Sequence, residues 1–266
     1  MQPKNKALLQ ARRLGAVLLV AISLPALAAD HWLAVDGMDC TVWSDEPLKP
    51  GEVIRWSGSC QDGRLSGQGI LEVTANGQRQ VRYEGTMRGG KADGEGVLES
   101  REQEGQDRYA GGFADGLFDG HGVLELADGS RYEGGFKADK PHGYGLYQGA
   151  DGNLYQGELL GGAPQGKGFE VTEEGAKYEG EFTDGVRQGQ GTLLFADGGI
   201  YAGGFADGKA KGKGIYTDPA GNTFEGTWRD GKADGEFLVT RADGATEKQL
   251  WRNDHQVAGG GKGESK

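Results

Sequence analysis

The sequence predicts an all-β fold: an elongated, twisted antiparallel sheet of about eight stacked β-hairpins with a cap at its N-terminal end. Three observations lead there. A 23-residue block recurs without a gap over residues 109–246, glycines fall at set offsets inside each block, and the stretches between glycines are too short for helices.

The clearest copy, residues 178–200, reads YEGEFTDGVRQGQGTLLFADGGI. Tyr109, Tyr132, Tyr155, Tyr178, Tyr201 and Phe224 open six copies, and two residues on stand Gly111, Gly134, Gly157, Gly180, Gly203 and Gly226. Residues 178–182 and 191–195 are rich in aromatic and aliphatic side chains and read as strands. TDGVRQG between them and ADGG after them carry the Asp-Gly chemistry of tight turns, where positive φ is needed. One copy is therefore a hairpin plus the turn into the next. Alternation puts Tyr178, Gly180 and Phe182 on one face and Glu179 and Glu181 on the other. A bare glycine between two large rings leaves backbone for a neighbouring ring to lie across. A lone hairpin is marginal in water, whereas stacked hairpins bury one another's aromatic face.

The pattern Y-x-G-x-x-x-x-G-x-x-x-G-x-G followed by a D-G turn resembles the MORN repeat (membrane occupation and recognition nexus). Two looser copies opening at Trp56 and Tyr83 extend the resemblance over residues 56–246. It implies a non-enzymatic scaffold or protein-interaction module, and, because the family often self-associates, a homodimer. Three positions depart from the pattern. Asp139 stands where other copies have glycine and Leu159 replaces the second ring, both of which put local ring packing in question; Phe237 replaces the last glycine of the final copy and reads as an end to the array.

Ahead of the array, residues 1–28 read as a secretory signal peptide. Lys4, Lys6, Arg12 and Arg13 precede an apolar run at 14–24, and Ala26-Leu27-Ala28 offers a small-residue cleavage site. The run is shorter than the roughly 18 residues of a spanning helix. The expected location is periplasmic or secreted. Residues 29–55 read as a strand-rich cap over the first sheet edge, stapled by a disulfide between Cys40 and Cys60, the only cysteines. In the chain-entropy picture a loop of this length contributes about 3 kcal/mol. The surplus residues of the two looser copies, 76–82 and 100–108, are expected in longer turns on one rim. After residue 246 the period is lost, with Glu247 where a ring belongs; residues 247–266 read as a C-terminal cap around Leu250 and Trp251 and a flexible tail.

Formal net charge is −11, and the first 28 residues carry four cations and no acids, so their removal leaves −11 − 4 = −15. Nucleic acid is excluded as a default partner by that repulsion. The expected partner is a protein of the cell envelope. The alternative is an envelope polysaccharide or lipid, bound by the ladder of opening rings Trp56, Tyr83, Tyr109, Tyr132, Tyr155, Tyr178, Tyr201 and Phe224, which fall about 10 Å apart on one face. Against that stands the reading that these rings fill the sheet's own face.

Asp115, Asp128, Asp151, Asp184, Asp197, Asp207, Asp230 and Asp243 recur at turns; calcium needs six to eight converging oxygens, so turn formation is the better reading. Glu133, Glu179 and Glu225 form a row read as a solvated face. His121 and His142 lack a nucleophile or carboxylate at catalytic spacing. Cleavage after Ala28 would leave Ala29-Asp30-His31 at a new N-terminus, a set that can encircle Cu(II) or Ni(II) in a square plane. No phosphate loop, nucleophile elbow, zinc motif or dinucleotide fingerprint appears, so neither an enzyme nor a cofactor is expected.

Overall fold

The computed structural model describes residues 31–102 and 105–257. The leader, the Ala29-Asp30 pair and the tail beyond residue 257 lie outside the described residues, so the signal-peptide, cleavage and flexible-tail readings fall there. Among the described residues every regular element is a strand. The chain divides into two compact units, Met1–Ala150 and Asp151–Lys266.

In the first unit β1 (His31–Ala34) and β2 (Thr41–Ser44) form an antiparallel hairpin with Trp32 opposite Trp43. β3 (Glu52–Trp56) and β4 (Ser59–Gln61) both pair with the long β5 (Arg64–Ala75), and the ladder continues through β6 (Gln78–Arg88), β7 (Lys91–Glu102), β8 (Gly105–Ala114), β9 (Leu117–Glu125), β10 (Arg131–Lys137) and β11 (Lys140–Gln148). The first ladder strand thus begins at Glu52, ahead of Trp56. Among the described residues, the surplus residues of the first two copies do not form long loops. They lengthen β5, β6, β7 and β8, and the turn between β5 and β6 is the tight Asn76-Gly77.

The cap sits differently from expectation as well. Only Asp36 N–H reaches the outer edge of β3, donating to Ile54 O at 2.8 Å. The β1–β2 hairpin instead runs along the turns: Thr41 N–H donates to Gly63 O and Trp43 N–H to Gly90 O, each at 2.9 Å. The Cys40–Cys60 disulfide joins it to β4 across a Cα–Cα distance of 6.1 Å. Val42, Trp43, Pro47 and Leu48 then lie over the inner face of the first copies, closing onto Ile54, Tyr83, Met87 and Leu98 around a residual cavity of about 60 Å³.

The second unit runs β12 (Leu154–Leu160), β13 (Ala163–Val171), β14 (Lys177–Thr183), β15 (Val186–Leu194), β16 (Ile200–Ala206), β17 (Lys209–Thr217), β18 (Thr223–Arg229), β19 (Lys232–Thr240), β20 (Thr246–Arg252) and β21 (His255–Val257), each antiparallel to the next. In the copy at 178–200 the hairpin turn is only Asp184-Gly185, with φ 49° and 79°. The expected seven-residue turn was too long: Val186 to Gln190 are strand, because Gly189, at φ 65°, serves a β-bulge rather than a turn. The bulge shifts register between Gly180, opposite Gly191, and Glu181, opposite Gln188.

That bulge explains the Tyr-x-Gly spacing. The Tyr178 ring folds over its own Gly180 and the cross-strand Gly191, where any Cβ would collide with it. Its hydroxyl donates to Glu181 O at 3.1 Å, a carbonyl the bulge has turned off the ladder. The same bond to the residue three along recurs at Tyr83, Tyr109, Tyr132, Tyr155 and Tyr201, and Trp56 imitates it with Nε1–H to Ser59 O. The ring that lies across each glycine is therefore the copy's own, not a neighbour's.

Two departures keep the packing intact. Leu159 is buried in the second-ring position. Beside Asp139, Phe118 stacks on Tyr109 with ring centroids 3.7 Å apart. The C-terminal end differs from expectation. β20 and β21 form a further, shortened copy: Trp251 takes the second-ring position and Asn253-Asp254 make the turn, while Glu247, Gln249 and Asp254 replace the opening ring, its glycine and the turn glycine. Trp251 packs on Phe237 and Phe224.

Candidate functional site

The site is set by one column, the residues nine positions after each opening ring from Tyr83 onward and directly opposite the second-ring position: Ala92, Phe118, Pro141, Pro164, Arg187, Ala210 and Ala233. The carbonyls of Ala92, Phe118, Pro164, Arg187, Ala210 and Ala233 accept the turn N–H of the following hairpin, as in Gly208 N–H to Arg187 O at 3.0 Å and Gly231 N–H to Ala210 O at 2.9 Å. Their own N–H points to the rim; that of Phe118 is taken by the Asp139 carboxylate at 2.8 Å. Proline is tolerated in the column for that reason. Backbone is thus constant along the column, and the side chain alone decides how full the ring face is.

Phe118 fills it in the first unit, lying among Tyr109, Phe113 and Phe136. Ala210 and Ala233 leave it open in the second. Over them runs a groove of about 550 Å³ with Leu193, Tyr201, Phe205 and Phe237 as its floor. Phe195, Tyr216, Phe224, Trp228 and Trp251 form its walls. Phe195 is 38 % exposed, and the other four are half-buried. The wall rings meet edge to face or tilted: Tyr216 to Trp228 at 6.3 Å, Tyr216 to Phe224 at 6.1 Å and Phe224 to Trp251 at 6.1 Å. Both indole N–H groups are occupied, Trp228 by Gly214 O at 3.1 Å and Trp251 by Gln249 Oε1 at 3.0 Å. The indoles therefore present ring faces rather than donors to the groove.

Phe224 stands in the wall because of Phe237. In every other full copy from Trp56 onward a glycine occupies that cross-strand position; here Phe237 lies on Gly226 in place of the opening ring, and Phe224, which has no hydroxyl, is pushed outward. Of charged groups the groove has Asp197 at one end and Lys209 and Asp254 at the other. Burial, then the nearby Asp197 and Asp218 carboxylates, raise the Tyr216 phenol above its ordinary pKa, so the field at that end is negative. Burial likewise pushes Tyr132, Tyr178 and Tyr201 up to about 12.

The expected ladder of rings is not a surface. Trp56, Tyr83, Tyr109, Tyr132, Tyr155, Tyr178 and Tyr201 are all buried, several completely, and a buried ring offers no face to a sugar or lipid. Of the eight, Tyr201 lies buried in the groove floor and Phe224 stands half-buried in its wall. Tyr216 was not singled out by sequence; Trp251 was read as part of the C-terminal cap and Trp228 as a ring of the shared face, and none of the three as a groove wall, although the alanines beneath them share one offset. Asp115, Asp184, Asp207 and Asp230 sit at left-handed φ in the hairpin turns. Asp128, Asp151, Asp197 and Asp243 accept the N–H two residues on in the connecting turns. Glu133 on the outer face pairs with Arg131 at 2.6 Å. His31 opens β1 opposite Ser44; the Ala29 and Asp30 nitrogens of its metal set lie outside the described residues.

A family model described as MORN repeat matches residues 83–102, 109–131, 132–154, 155–176, 178–200, 201–223 and 224–236. Among solved structures, the SAS-4 (dCPAP) TCP domain of Drosophila melanogaster, in complex with a proline-rich motif of Ana2 (dSTIL), is 12 % identical with a TM-score of 0.34, covering 77 % of this chain and 95 % of that one. A streptogramin B lyase structure is 10 % identical with a TM-score of 0.16, covering 76 % of this chain and 88 % of that one. None of the curated proteins compared matches the chain.

Proposed function

Because the chain belongs to the MORN repeat family, we propose that it is a non-enzymatic interaction module whose working surface is the groove over Ala210 and Ala233, docking a protein partner. The observation that carries this reading is the exposure of Phe195 together with half-buried Tyr216, Phe224, Trp228 and Trp251 around one groove. Elsewhere the same face is filled by Phe118 or lies under the cap. A contiguous apolar patch that the fold could have filled, and fills elsewhere, is a docking surface.

Affinity capture by the wild type and by Ala210→Phe, which imports the native Phe118 arrangement, tests it. A specific partner captured by the first and lost by the second supports the reading; identical captures overturn it. Co-sedimentation with envelope polysaccharide, abolished by the same variant, would instead favour the second reading, a glycan stacked on these wall rings. A doubled mass in light scattering that Ala210→Phe halves would make the occupant a second copy.

Export supplies the setting. The basic and apolar leader at 1–28 and a disulfide both suit an oxidising envelope compartment. Intact-mass measurement of protein from the envelope fraction is expected to find a chain starting at Ala29; a chain retaining Met1 in the cytoplasmic fraction would remove this part of the proposal.

A further inference from the structure

The chain covers three of its aromatic faces with its own cations. The Arg64 guanidinium lies 4.0 Å over Trp32, Lys91 Nζ 4.9 Å over Trp43, and the Arg187 guanidinium 4.9 Å over Tyr178. The third belongs to the ring face itself. Arg187 occupies the column that becomes Ala210 and Ala233 in the next two copies, and its Nε and Nη2 both donate to Glu170 Oε2 at 2.8 Å. The two copies that follow keep the rings and lack the cation. Among the described residues no cation of the chain lies over Tyr216, Phe224, Trp228 or Trp251.

The charges suit a cation supplied from outside. Asp197 and Asp254 stand at the two ends of the groove against the single Lys209, in a chain of net charge −11. Guanidinium is planar and weakly hydrated, so it stacks on rings where an ammonium would keep its water. With both indole N–H groups already satisfied, the walls offer the Tyr216 hydroxyl and, over most of their area, ring faces to which a cation is attracted.

We propose that the groove receives an arginine side chain from a basic segment of the partner, its guanidinium stacked on the wall rings as Arg187 stacks on Tyr178. This rests on the groove being a protein-docking surface and names the chemistry of what docks there. Arg187 with Glu170 is the chain's own version of the contact, one copy earlier.

Calorimetric titration of the full chain with the synthetic peptide Gly-Arg-Gly-Arg-Gly-Arg-Gly, and with its citrulline counterpart of the same shape but no charge, tests it. The arginine peptide is expected to bind at least about tenfold more tightly, the worth of a desolvated cation on an aromatic face. Ala210→Arg supplies the guanidinium from within and is expected to weaken binding by about tenfold or more. Ala202→Arg, the same charge change at an exposed position in β16, should leave binding within about twofold. Ala210→Arg places a guanidinium at the column position of Arg187, with Leu193 where Glu170 stands, and thermal melting verifies that both variants fold. Equal affinity for the two peptides, equal effects of the two variants, or no binding of the arginine peptide overturns the inference. The partner-capture experiment separates the two claims. If Ala210→Phe abolishes capture while the arginine peptide does not bind, the groove docks another chemistry and only this inference falls.

Discussion

A Cβ on Gly191 would come within 2.5 Å of the Tyr178 ring. The ring cannot move away without giving up its hydrogen bond to Glu181 O. Gly191→Ala is therefore expected to destabilise the fold by about 1–3 kcal/mol, the range for overpacking a filled site. Urea denaturation checks it through a lower midpoint at unchanged slope. A midpoint equal to wild type would mean that the ring has another place to lie.

Tyr109 has no exposed surface, and its hydroxyl donates to Gly112 O at 2.9 Å in a buried setting. Tyr109→Phe keeps the ring packing and orphans that carbonyl, with an expected loss of about 1–2 kcal/mol. Thermal melting of this variant beside wild type is the measurement. A loss below about 0.5 kcal/mol would show that the bulge carbonyl finds another donor.

How much of this was legible in the residues turns on the bulge. The Tyr-x-Gly offsets and the period of 23 could be read directly, because a ring and the backbone beneath it must keep their spacing in every copy. Gly189, by contrast, looks the same in sequence whether it makes a turn or a bulge, and taking it for a turn removed Arg187, Ala210 and Ala233 from the strand. With them went the groove, although their constant distance from Tyr178, Tyr201 and Phe224 was in plain view. Burial of the opening rings depended on what lies over them, a tertiary property that the strand alternation of Tyr178 and Phe182 does not contain. The cap followed the same rule: the spacing of Cys40 and Cys60 suited a bond, but which rim it would fasten depended on the turns at Gly63 and Gly90.

Asp139 makes stability depend on pH. Burial, opposed by the Phe118 N–H and helped by the Asp119 charge, raises its carboxyl from 3.8 to about 6. Between those two values the folded chain holds a proton that the unfolded chain has released. This contribution is fully present below the unfolded value and is lost as pH rises towards the folded one. Asp139→Asn keeps an oxygen for Phe118 N–H and suits the left-handed φ of 65°. Melting temperatures from pH 4 to 8 are expected to show the variant gaining on wild type as pH rises, by about 1–2 kcal/mol at neutral pH once partial exposure of the turn is allowed for. Parallel profiles for the two proteins would contradict this.

Ala138 precedes it at φ 47°, in the turn position that Asp115, Asp184, Asp207 and Asp230 hold in other copies. Alanine has no side-chain hydrogen bond to offset the left-handed conformation, whereas asparagine tolerates it. Ala138→Asn should therefore stabilise the protein by about 0.5–1 kcal/mol, seen as a raised denaturation midpoint. A lowered midpoint would place the strain of this turn somewhere other than its backbone.

Phe237 lies on Gly226 where its counterparts leave glycine bare, and the shortened copy behind it has Gln249 in place of the next glycine. A gene that lengthened this protein by tandem duplication could copy any interior block and obtain a working unit. Copying the last full one would carry Phe224 and Phe237 together and repeat the displaced opening ring, and with it a wall of the groove. Interior blocks would lengthen the closed ring face; the block with Phe237 would lengthen the open one.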